Sequence, residues 1–226
     1  MNKINMKKQI TIIYFLFSIL LLTSSFSSPS YRMARLKYGG GGDWYSSRTA
    51  LTNLIKFCNS EINTNFFPEE SIVETGSSEI FNYPYVFATG HGNIIFSEDE
   101  AQNLRKYLTS GGFLHLCDNY GMNAYVRIAM KKVFPELDFV ELPFNHPIFQ
   151  KPYSFPNGLP KIHEHDGKRP QAFGIIYKGK LVCLFDYECD LGNGWEDVGT
   201  YASDKPETHE KALKMGANII SYILTN

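Results

Sequence analysis

The sequence has no marked excess of charge of either sign. Its 22 basic residues face 23 acidic ones, a formal net charge of −1. That excludes the strongly basic field that phosphate backbones require, so nucleic acid is not an expected partner. Cysteine is scarce. Cys58, Cys117, Cys183 and Cys189 match no zinc-ligand spacing and no disulfide framework. Buried free thiols are the expectation, with a Cys183–Cys189 bridge left open. No internal repeat is visible, and no linker splits the chain. What is abundant is apolar: 43% of the 226 residues are hydrophobic and 15% aromatic, which excludes a mainly disordered chain.

The first residues read as a targeting segment. Lys3, Lys7 and Lys8 precede an apolar run from Ile10 to Leu22, and Thr23 to Ser28 are mostly small and polar. Basic, apolar, then small is the order of a secretory signal peptide. The run falls short of the roughly 20 apolar residues that span a bilayer. Residues 1–27 are therefore expected to be removed, leaving no stable membrane span and a domain over residues 28–226. An uncleaved anchor is the alternative. Removal takes away three lysines and no acid, so 19 basic and 23 acidic groups remain. The expected location is periplasmic or extracellular.

The remainder alternates between strand and helix patterns. Ala34 to Tyr38 alternates like a strand and ends at the Gly39–Gly42 run. Ser47 is placed to cap a helix with Leu51, Leu54, Ile55 and Cys58 on one face. Ile72-Val73 marks a short strand. Tyr85 to Thr89 is a continuous apolar run, as in a buried parallel strand. Ser97 and Glu100 have capping-box spacing before a stripe of Ala101, Leu104, Tyr107 and Leu108. Phe113 to Cys117 is the next strand, and Val126, Ala129, Met130 and Val133 form another helical face. Phe139 to Leu142 reads as a strand, and Pro143 to Pro170 as a long loop. Ile175–Tyr177 and Leu181–Phe185 flank Lys178-Gly179-Lys180 like a late hairpin. His209 to Leu224 closes the chain as an amphipathic helix. This order predicts a single three-layer α/β domain with a mostly parallel sheet.

Ligands of open parallel sheets bind beyond the carboxyl ends of the strands. Three polar segments follow the predicted strands: Gly39–Tyr45 with Asp43 and Trp44, Gly90-His91-Gly92-Asn93, and Asp118-Asn119-Tyr120-Gly121. They meet in space if their strands are neighbours. Asp43, Trp44, His91, Asp118, Asn119 and Tyr120 are thus the candidate ligand-binding residues. The glycine run lacks both the Walker pattern and the dinucleotide spacing, so a tight turn is its simplest role. His163-Glu164-His165-Asp166 supplies a second cluster, with both imidazoles on one side if the segment is extended. Together with His91 and Asp118, His163 and His165 make a candidate divalent-metal set. A solvated polar loop is the alternative. The acidic stretch Asp186–Asp197 is expected to be a solvated loop with Trp195 packed inward.

Two resemblances enter at these residues. Tyr85 to Cys117, with its polar turn, capped helix and Gly111-Gly112, resembles the middle of a class I glutamine amidotransferase-like (flavodoxin-like) fold. Asn145-His146-Pro147-Ile148 resembles a stretch of its trehalose-utilisation-like branch. More closely, residues from about Tyr31 to Tyr222 resemble domain-of-unknown-function family 4159. Its matching stretches are Ala34–Tyr38 with the glycine run and Asp43-Trp44-Tyr45, Thr89–Gly92, Asp118–Gly121, His163–Gly167 and Gly194–Asp197. This resemblance implies a fold and an exported bacterial setting, and it implies no established activity. The amidotransferase nucleophile needs small residues two positions either side of the cysteine, whereas Cys117 has His115 and Asn119 there. Amidotransferase chemistry is therefore not expected. The expected function is non-catalytic binding of a small polar ligand or an envelope protein, with no cofactor. A metal-dependent hydrolase using His91, Asp118, His163 and His165 is the alternative, and a scaffold whose polar loops only lock the fold is a third reading.

Overall fold

The computed structural model describes residues 31–201 and 205–226. The proposed signal segment lies outside the described residues. Seven strands form one sheet: β1 (Met33–Lys37), β2 (Ser71–Glu74), β3 (Tyr85–His91), β4 (Phe113–Tyr120), β5 (Val140–Glu141), β6 (Gln171–Tyr177) and β7 (Lys180–Tyr187). Their order across the sheet is β2-β1-β3-β4-β7-β6-β5. The first five in that order run parallel, while β6 is antiparallel to both its neighbours.

Among the described residues, five α-helices cover the two faces: α1 (Ala50–Glu61), α2 (Glu98–Thr109), α3 (Asn123–Val133), α4 (Leu191–Trp195) and α5 (Pro206–Thr225). The two-residue period of a strand sends alternate side chains to opposite layers. Tyr85 and Phe87 pack with α1, α4 and α5, whereas Val86 and Ala88 pack with α2 and α3. Both faces of β3 and β4 are buried, which is why these strands read as unbroken apolar runs. The predicted stripes of α1, α2 and α3 are the buried faces. The capping box at Ser97 and Glu100 is formed in both directions. Lys178 and Gly179 both have positive φ, which gives the β6–β7 hairpin its tight turn.

Several sequence-based expectations are corrected. Ser47 does not cap α1. It has φ 50°, and α1 begins after Thr49 without a side-chain cap. Its carbonyl instead accepts from the buried Arg35. β3 and β4 run further than their apolar cores, because ladder pairing continues through Gly90↔Asp118 and His91↔Tyr120. The 143–170 stretch is no open loop: it holds a 3₁₀ turn at Pro147–Phe149 and buries Ile148, Phe149, Phe155 and Leu159. The acidic stretch is not solvated. Asp186, Glu188 and Asp190 are buried, and α4 follows them. Trp195 does pack inward, donating from Nε1 to Ala212 O at 2.8 Å. All four cysteines are free and buried, so no Cys183–Cys189 bridge forms.

Candidate functional site

The carboxyl ends of β1, β3 and β4 come together. Asp43, in the turn after β1, grips His91 twice. Its Oδ1 accepts the His91 backbone N–H at 2.5 Å and its Oδ2 lies 2.9 Å from Nδ1. This dyad depends on glycine. A Cβ on Gly90, which has φ +148°, would fall 2.3 Å from the Tyr38 hydroxyl and 3.1 Å from Asp43 Oδ1. A Cβ on Gly42 would fall 2.6 Å from Asn93 O. The glycine run therefore serves close backbone approach between the β1 turn and the end of β3. Partial burial raises the Asp43 pKa, but the bonds from the His91 backbone and ring outweigh it and hold the carboxyl below its ordinary range.

The His163 loop does reach this edge. Tyr120 stacks on His165 with ring centroids 5.3 Å apart and planes 12° apart. The pair forms a wall between two depressions. On one side lies a cleft of about 370 Å³ lined by His91, Asn119, His163, Glu164, Asn193 and Tyr201. On the other, a depression of about 350 Å³ is lined by Asp118, Asp166, Lys168, Tyr187 and Glu188. Gly92 N–H donates to Tyr120 O at 3.1 Å, tying the ends of β3 and β4 together.

Beneath the wall is a layer of buried carboxylates. Asp190 Oδ2 lies 3.5 Å from His165 Nε2, an ion-pair distance without an aligned hydrogen bond. Burial raises the Asp190 pKa to about 7 and that of Asp118 to about 6. The Asp190 carboxylate in turn holds His165 above its ordinary value. Asp186 accepts from His115 Nε2 at 3.0 Å, and His115 Nδ1 meets the Tyr85 hydroxyl at 2.7 Å. Glu188 pairs with Lys161 at 2.9 Å. Each of these carboxyl groups accepts at least one hydrogen bond, which is what makes its burial tolerable.

Of the residues expected at the site, Asn119, Tyr120 and His91 line the cleft together with His163 and His165. Asp43 contributes through His91. Asp118 lies across the wall, its Oδ1 accepting the Met122 N–H at the start of α3. Trp44 packs against the α2–α3 side of the core and is not among the residues lining the cleft. Asn193 and Tyr201 were not expected. They lie in the acidic stretch and just beyond it, where the α4 turn and the bond from Tyr201 back to Asn193 leave no periodic signal. His163 and His165 have ring centroids 5.4 Å apart. Among the described residues, no group of three or more His, Cys, Asp or Glu side chains is arranged to hold a metal ion. Cys117 is wholly buried in β4, where burial pushes its thiol well above the ordinary value. A larger depression, about 590 Å³, lies elsewhere, between the end of α2, the β6–β7 turn and the end of α5. Its titratable side chains are Tyr177, Lys178, Lys180 and Tyr222, with no histidine or carboxylate among them. Among the described residues no helix is long and apolar enough to cross a membrane.

A family model described as a domain of unknown function (DUF4159) matches residues 32–224. No curated protein matches the chain.

Proposed function

The chain belongs to the DUF4159 family, and from that premise we propose that it is an exported bacterial envelope domain that binds a small polar ligand in the cleft at the ends of β3 and β4. The observation that carries this reading is the convergence of three separate segments on one cleft: the Asp43–His91 dyad, Asn119-Tyr120, and the His163–His165 loop. Buried polar groups are costly, and so many gathered at one rim favour a site over a scaffold. In this reading the fold is an amidotransferase-like α/β domain that has no nucleophile. Cys117 continues the apolar strand, and its Sγ accepts the Gly192 N–H at 3.2 Å in the core. The basic-apolar-small order of residues 1–27 supports export. The test is His91→Ala. His91 is half-exposed, so binding is expected to fail while stability changes by about 0.5 kcal/mol or less. Unfolding of the variant would contradict the assignment. The metal-dependent hydrolase remains the second reading, because His91, His163 and His165 share one cleft. Metal analysis of unchelated protein decides it: zinc, iron or manganese near one per chain, lost in His163→Ala, would favour the hydrolase.

A further inference from the structure

The hydrogen-bond inventory of the cleft indicates what its ligand must offer. Its donors are largely used internally. Tyr120 Oη donates to Asp166 at 3.0 Å, and Tyr201 Oη is 2.6 Å from Asn193 Oδ1 and 2.7 Å from Glu196 Oε2. Asn193 Nδ2 donates to Asp190 at 2.5 Å, and Asn119 Nδ2 to Ser46 Oγ at 3.4 Å. The lining still offers acceptors. With Nδ1–H given to Asp43, His91 keeps Nε2 as an acceptor. Asn119 keeps Oδ1. Glu164 keeps a carboxylate that is 68% exposed, with Lys161 no nearer than 3.9 Å.

Charge points the same way. Asp118, Asp186, Glu188 and Asp190 lie buried just below, and Asp43 and Glu164 stand at the rim. The lysines beside this layer are already paired, Lys161 with Glu188 and Lys168 with Asp166. A phosphate or carboxylate would enter a negative field, whereas a cation would be drawn in. His165 adds an independent observation. Its side chain is 8% exposed, and its Nε2 is turned to Asp190 Oδ2 at 3.5 Å, so it offers the cleft no donor for an anion. Tyr120 is half-exposed, and one side of its ring stacks on His165. A half-exposed tyrosine ring suits a cation.

We infer that the cleft takes its ligand through a primary ammonium group, donated to His91 Nε2, Asn119 Oδ1 and Glu164 beside the Tyr120 ring. This rests on the cleft being the binding site. The test is an NMR titration of the labelled protein at pH 8 with butylammonium, acetate and inorganic phosphate at matched ionic strength. Butylammonium alone is expected to shift the Asn119 and Asn193 side-chain amides saturably. Glu164→Gln should weaken that binding about threefold, the scale of an exposed ion pair. Saturation of those amides by phosphate or acetate would overturn the ammonium assignment while leaving the cleft a binding site. Saturation by none of the three, or only at resonances elsewhere, would overturn both.

Discussion

At the scale of single residues, the site is built by what glycine omits. Gly90 is flanked by Tyr38 and Asp43 so closely that a methyl group has no room, and its φ of +148° disfavours any L side chain. Gly90→Ala should therefore cost about 2 kcal/mol or more by chemical denaturation, and it should loosen His91 as well. Gly92, with φ +70° and open space at its Cβ, should cost less on replacement by Ala. Comparing the two variants separates crowding from backbone strain. Arg35 shows the opposite device, a large buried side chain as a pin. It is 2% exposed, holds Glu70 through Nε and Nη2, and donates to the carbonyls of Ser46 and Ser47. It thereby fixes the turn that meets Asn119. Arg35→Leu would leave Glu70 and two carbonyls without their partner. A loss of about 3 kcal/mol is expected in the same denaturation assay.

At the scale of elements, the helices and central strands were legible because each obeys one period. The α2 stripe and its capping box could be placed to the residue. Ser97→Ala should cost about 1 kcal/mol of stability and leave cleft binding unchanged, since α2 packs on the opposite face of the sheet from Ile162, which leads into the His163 loop. The candidate site was only partly legible. His91, Asn119 and Tyr120 could be found because polar residues interrupt apolar runs there. The ends of β3 and β4 were misjudged, since ladder pairing carries them past the last apolar residue. Asp186, Glu188 and Asp190 were misjudged for a related reason. Acidic residues in a turn-rich stretch normally face water, and only the long-range partners His115, Lys161 and His165 make their burial tolerable. Sequence separation hides such partners.

At the scale of the whole molecule, the buried carboxylate layer should shape the response to pH. Asp190 and Asp118 are raised from 3.8 to about 7 and about 6, so the folded state holds protons that the unfolded chain releases between roughly pH 4 and 7. Each therefore favours the folded state more as pH falls through that window. His165 is also raised; its contribution is full below its ordinary pKa and is lost as pH rises through the folded value. All three shifts act in the same direction. The melting temperature should be several degrees higher at pH 5 than at pH 8, and Asp190→Asn should narrow that difference. A melting temperature that falls on acidification from pH 8 to 5 would contradict this electrostatic picture. The claim that the strand-end cleft is the binding site has a more direct test, an NMR screen of the intact protein against a library of small polar fragments. The account predicts that the perturbed resonances gather on His91, Asn119, Tyr120, His163 and Asn193. Perturbations gathering instead on Gly112, Tyr177 and Lys180, around the larger depression away from this edge, would contradict it.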